Sequence, residues 1–143
     1  MIQIRTHAVA SEAYARVAVR RDDQGKNALT KKEYGTLAHK LPGMILSNGL
    51  AQATGFLLAK GNPEHKALLD DLNAVLRASG AADFRDGATL HRHIIESDLR
   101  QTLMLTRRAL EASGWIKRYV QGVLRVDATG DSDEPRESTE GGG

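Results

Sequence analysis

Cysteine is absent from the 143-residue chain, which excludes disulfides, thiolate nucleophiles and cysteine-ligated zinc and leaves nothing that calls for an oxidising compartment. Aromatic residues make up only 4%, and β-branched residues are sparse outside short clusters. A sheet-built core therefore has little to draw on, whereas the abundant alanine and leucine favour helices. Long apolar runs are missing too. The least charged stretch, "LPGMILSNGLAQATGFLLA" (residues 41–59), has 11 apolar residues among 19, interrupted by Pro42, three glycines, Ser47, Asn48, Gln52 and Thr54. A spanning helix needs about 20 predominantly apolar residues, so no membrane segment is expected. The first 21 residues scatter their charges and lack the continuous apolar stretch of a secretory signal, and the expected location is cytoplasmic. A chain of this length holds one hydrophobic core and is too short for two independent domains.

What charge there is divides unevenly. The net value of +2 hides a C-terminal segment, residues 127–143, with six acids against Arg136, so that residues 1–126 carry +7. Within that body the excess lies at both ends: nine Lys/Arg against four acids in residues 1–60, and six against one in 100–126, while 61–99 lean acidic. If the two ends meet in space they form one positive face suited to a polyanion. An ordinary solvated helical surface is the alternative that charge alone leaves open.

Apolar spacing is helical almost throughout. Val9, Ala13 and Val17 recur every four residues over about 6–21, with Glu12, Arg16 and Arg20 on another stripe. Thr30 and Glu33 have capping-box spacing, placing a second helix start near Lys31, and Pro42 is expected to kink or interrupt that helix. Asn48-Gly49 is flanked by helical, not alternating, apolar residues, so Gly49 reads as a left-handed residue ending one helix just before the next. Because this hairpin manages without charge, it is expected to be the covered centre of the domain. Asn62-Pro63-Glu64 is a strong helix start, with Leu68, Leu72, Val75 and Leu76 inward and a stop at Ser79-Gly80. Helix resumes near Thr89, with a break at Ser97-Asp98 and punctuation at Ser113-Gly114. A last helix turns Ile116, Tyr119, Val120, Val123 and Leu124 inward. Residues after Val126 have no apolar periodicity and read as disordered.

Reactive constellations are hard to find. His91 and His93, two apart, point to different sides of a helix. His7, His39 and His65 are isolated, and the pairs Asp22-Asp23 and Asp70-Asp71 do not resemble a nuclease centre. Gly43, Gly49 and Gly55 lack the strand and the Gly-Lys-Ser/Thr of a phosphate loop. Tyr14, Tyr34, Trp115 and Tyr119 keep core-like spacing, which leaves few rings to stack on bases.

The stretches "LPGMILSNGLAQATGFLLAK" (Leu41 to Lys60), "SDLRQT" (Ser97 to Thr102) and "WIKRY" (Trp115 to Tyr119) resemble the small α-helical subunit of the type III-B CRISPR effector, the Cmr complex. The resemblance implies a non-catalytic structural subunit of an RNA-guided ribonucleoprotein in antiviral defence. Its copies would stack as a minor filament beside the backbone subunits and line the channel for target RNA, with cleavage left to other subunits. Expected partners are the other Cmr subunits, the backbone subunit and copies of itself among them, together with crRNA and target RNA through their phosphates. No enzyme activity, cofactor or metal is expected. Candidate RNA-binding residues are Arg16, Arg20, Lys60, Arg107, Arg108, Lys117, Arg118 and Arg125. The expected architecture is all-α: a single-domain helical bundle of about six or seven helices over 1–127, with a flexible, disordered acidic C-terminal tail over 128–143. The rival reading is a free-standing basic helical DNA-binding regulator that lays a short helical turn in a major groove; a third is a small metal nuclease using His91 or His93.

Overall fold

The computed structural model describes residues 4–22 and 28–128 and, of residues 22 and 28–30, the backbone alone. Among the described residues there are six α-helices and no strand: α1 (Arg5–Asp22), α2 (Ala28–Asn48), α3 (Leu50–Lys60), α4 (Pro63–Ser79), α5 (Gly87–Glu96) and α6 (Leu99–Tyr119), closed by a π turn at Val120–Leu124. The acidic tail beyond residue 128 lies outside the described residues, as does the capping-box side chain of Thr30. The α2 backbone starts at Ala28, so Thr30 falls within its first turn and not at its cap.

Helix α4 is the hub. Asn62 is extended at its cap, Pro63 opens the first turn, and Gly80 ends it with φ 82°, as the sequence predicts. It packs against every other α-helix and buries Leu68, Leu69, Leu72, Val75 and Leu76. The uncharged stretch 41–59 is therefore not the covered centre that its composition suggests. Leu41, Ile45, Leu50, Ala53 and Leu57 face inward, yet Leu46 is 72% exposed and Leu58 42%. Small and amide side chains tolerate water as readily as charged ones, so lack of charge is not burial.

Two expected breaks do not occur. Helix α2 runs through Pro42 and α6 runs through Ser113-Gly114. A mid-helix proline costs about 3 kcal/mol and a glycine about 1. Both are outweighed by the faces these helices bury, Leu37, Ala38, Leu41 and Ile45 on α2 and Leu105, Ala109, Ala112 and Ile116 on α6. The break at Ser97-Asp98 is real. The Asp98 carboxylate accepts the Gln101 amide at 2.8 Å and the Gln101 side-chain oxygen accepts the Asp98 amide at 3.3 Å, a complete capping box. Gly49 has the expected positive φ of 90°, but its ψ of 158° lies outside the left-handed helical region. It serves both helices, donating to the Ile45 carbonyl and accepting from the Ala53 amide.

After the π turn, Arg125 takes a left-handed conformation (φ 60°) and turns the chain back. Val126 is then buried against Gly35, where any Cβ would lie 2.7 Å from a Val126 methyl. The His39 Nε2–H donates to the Val126 carbonyl at 2.8 Å. The end of the domain is thus pinned to α2.

Candidate nucleic-acid interface

Arg16 and Arg20 occupy one stripe of α1, as the sequence predicts, but both turn toward α4. Arg16 Nε donates to Asp71 Oδ1 at 2.8 Å, and an Arg20 Nη donates to both Asp71 oxygens at 3.1 and 3.2 Å. The Tyr34 hydroxyl donates to Asp71 Oδ2 at 2.6 Å, and the Arg20 guanidinium also lies over the Tyr34 ring. Asp71 is fully buried, so these cations neutralise a core carboxylate. Burial opposes the Arg16 charge, but attraction to Asp71 and the hydrogen bond outweigh it and its pKa is raised.

Burial, then the Asp71 charge and its hydrogen bond, push the Tyr34 phenol well above its ordinary value. The folded state then holds a proton that the unfolded chain releases near pH ~10, so this group's stabilisation is intact below that pH and lost above it. In an alkaline titration followed by phenolate absorbance, Tyr34 is expected to ionise only as the protein unfolds. Tyr34→Phe should remove that late step and leave the earlier ones; a Tyr34 that titrates in the folded state would contradict the geometry.

Of the other candidate cations, Arg107, Arg108, Lys117 and Arg118 lie on α6. Residues 100, 107, 111 and 118 fall on one stripe at about 100° per residue, and Arg100, Arg107 and Arg118 are exposed along it. Arg108 flanks them. The N-terminal half of this face is concave: Arg5, Arg100, Leu103, Met104, Arg107 and Arg108 line a groove of about 740 Å³ that also includes Leu99 and Glu111. Glu111 is engaged by Arg5 at 3.6 Å. Among the described residues, no carboxylate pairs with Arg100, Arg107 or Arg108. Of the groove's cations the sequence yields Arg107 and Arg108; Arg100, one heptad before Arg107, was legible by the same spacing, whereas nothing local in the sequence points to Arg5.

Of the four rings expected in the core, Tyr34 on α2 is fully buried, and Trp115 and Tyr119 at the end of α6 pack against the core. Tyr14 is exposed, and Trp115 and Tyr119 are half-buried. Trp115 stacks on Tyr119 at 5.7 Å, Tyr119 meets Tyr14 edge-on at 5.4 Å, and the Arg118 guanidinium covers Trp115 at 5.0 Å. A partly open aromatic ladder therefore continues the arginine stripe. Lys117 is half-buried and Arg125 exposed at the turn below it. Lys60 stands apart at the end of α3, its amine 5.9 Å from the Phe56 ring.

The remaining polar candidates have structural partners. Asp70 accepts the Gly87 amide and His91 Nδ1 meets the Thr54 hydroxyl at 2.7 Å; the His93 ring lies against Phe84. Asp86 caps α5, and its hydrogen bonds from Thr89 hold its carboxyl below the usual range. Among the described residues, no three His, Asp or Glu side chains are grouped to hold a metal ion, and no helix is long and apolar enough to cross a membrane. The short turn that a DNA-binding protein would insert in a groove corresponds to the α2–α3 corner, where Leu46, Ser47, Asn48, Ala51 and Gln52 are exposed and none is charged.

These features define a class: a small all-α protein with one arginine-lined face and one open, uncharged face. Comparison with known proteins agrees over nearly the whole fold. Residues 5–123 match the family of the CRISPR-associated protein Cas_Cmr5. The CRISPR system Cmr subunit Cmr5 of Thermus thermophilus is 36% identical over 123 residues, covering 86% of this chain and 98% of the relative. The crystal structure of a CRISPR-associated Cmr5 family protein from the same organism superposes with a TM-score of 0.73 at 34% identity, over 86% of this chain and 99% of that one. The chain belongs to the Cmr5 family.

Proposed function

We propose that this chain is the non-catalytic small subunit of a type III-B Cmr effector complex, working in the cytoplasm by holding parts together. The observation that carries the reading is the family match across residues 5–123, together with a relative that is itself a Cmr subunit. Two surfaces divide the work. The outer face of α2 and α3 (Leu46, Ala51, Gln52, Leu58), exposed and built from uncharged residues, supports docking to the backbone subunit and to further copies in a minor filament, since association gains most from apolar area that no ion has to leave. The arginine face of α6 supports an RNA strand by its phosphates. The helical domain 1–127 carries both surfaces, with the acidic segment 128–143 as an appendage.

The assembly half is tested by isolating the tagged chain from its host and sizing the product. Co-migration with the other Cmr subunits and crRNA is expected; a chain that always runs alone would defeat it. For the RNA half, replacing Arg100, Arg107 and Arg108 together by glutamine removes up to three phosphate contacts. At about −0.7 in log-log salt slope per single-strand contact, the slope should fall by about 2 and affinity for oligouridine at low salt by roughly 10- to 100-fold. Unchanged affinity would remove the α6 face from RNA binding. Arg16 and Arg20, already committed to Asp71, are expected to contribute through the fold.

A further inference from the structure

The acidic segment plays no part in the reading above. Residues 129–143 hold Asp131, Asp133, Glu134, Glu137 and Glu140 against Arg136, and the family match ends before them, at residue 123. The groove on α6 has the opposite need. It gathers four guanidiniums and one carboxylate, Glu111, which Arg5 already engages, and its apolar floor includes Leu103 and Met104, both substantially exposed.

Reach permits the two to meet. Val126, held by Gly35 and His39, fixes where the chain leaves the fold, beside α2 and the C-terminal end of α6. From Tyr119 back to Arg107 is about 18 Å along the helix, and to Arg100 about 29 Å. Fifteen further residues span at most about 50 Å extended and roughly 20 Å as a coil. At full extension Glu137 and Glu140, 11 and 14 residues beyond Val126, have about 37 and 48 Å of chain, enough to span to the groove.

We infer that residues 129–143 occupy the α6 arginine groove as an intramolecular stand-in for a phosphate chain, so that RNA must displace them to bind. This rests on the groove being the polyanion surface proposed above. Single exposed arginine–carboxylate pairs are weak, but a short tether holds them at an effective concentration of about millimolar. A stray short RNA then meets an occupied groove, while a strand held by the whole assembly brings enough phosphates, and enough counterion release, to displace the segment. Salt weakens both contacts.

The test uses the full chain with the five acids converted to amides (D131N, D133N, E134Q, E137Q, E140Q), changes that lie outside the family match. Affinity for labelled oligouridine at low salt should rise by about three- to tenfold, as expected for removing a tethered competitor, and the gain should shrink as salt is raised. Contact is read separately. With no native cysteine, Ser138→Cys carries a single nitroxide, which should broaden the side-chain Nε–H signals of Arg107 and Arg108. Converting the acids to amides should abolish the broadening. Equal RNA affinity with no broadening overturns the inference, and broadening that appears only between differently labelled molecules overturns its intramolecular form. If broadening persists while R100Q/R107Q/R108Q binds RNA like the unaltered chain, docking stands and it is the RNA role of the groove, and the competition with it, that fails.

Discussion

Alanine at position 71 is expected to cost about 3–5 kcal/mol of folding stability, the usual result of removing one partner from a buried ion pair. Asp71 accepts hydrogen bonds from Arg16, Arg20 and Tyr34 and is fully buried. Without it, a mostly buried guanidinium and a phenol lose their acceptor in a medium that penalises both. Domains of this size have about 5–15 kcal/mol in total, so the variant should denature at a much lower midpoint with little change in slope. Removing the whole network, with Arg16 and Arg20 replaced by methionine and Tyr34 by phenylalanine alongside D71A, should recover much of the loss, because an apolar isostere leaves no orphaned charge. A single-variant loss below about 1 kcal/mol would mean that water reaches the site and the network is not holding α1 to α4.

Gly87→Val should cost about 3 kcal/mol, the upper part of the range for overpacking. Gly87 opens α5 against α4, and a Cβ there overlaps the Leu69 side chain and stands 3.0 Å from both the Leu69 carbonyl carbon and Asp70 Oδ1. A side chain could rotate away, but the Leu69 backbone cannot, and Asp70 is tied to the Gly87 amide at 2.8 Å. Relief requires α5 to move off α4. The contrast is Gly114, mid-helix on α6 with nothing within 4 Å, where alanine should add roughly 0.5–1 kcal/mol. Denaturant curves on both variants check the pair; equal effects would mean that space, and not backbone entropy alone, fails to separate the two glycines.

Helices with periodic apolar faces and clear caps were legible in the sequence: the Val9, Ala13, Val17 stripe is buried, and α4 starts and stops where Pro63 and Gly80 place it. Pro42 and Ser113-Gly114 misled because a local penalty of about 1–3 kcal/mol is smaller than the tertiary burial that carries the helix through. Arg16 and Arg20 looked like surface cations because their carboxylate lies 55 and 51 residues away, and sequence spacing conveys nothing of a contact at that range. Gly35 and Gly87 were invisible for the same reason, since their need to be glycine comes from Val126 and Leu69. Part of the α6 face could be read, Arg107 and Arg108 from local density. Its concavity, and the membership of Arg5, depend on how α1 docks.

That docking has a consequence for biosynthesis. The principal neighbours of α1 are α4, α6 and the π turn, all encoded well downstream of it. As the polypeptide leaves the ribosome, the first helix has no surface to settle on until α4 emerges, and its groove is completed only with α6. A nascent chain halted before residue 63 has neither of the helices that α1 packs against, and one halted before residue 99 has α4 alone, so Val9, Ala13 and Val17 are open to solvent or to a chaperone early in synthesis and α1 docks fully only once α6 is made.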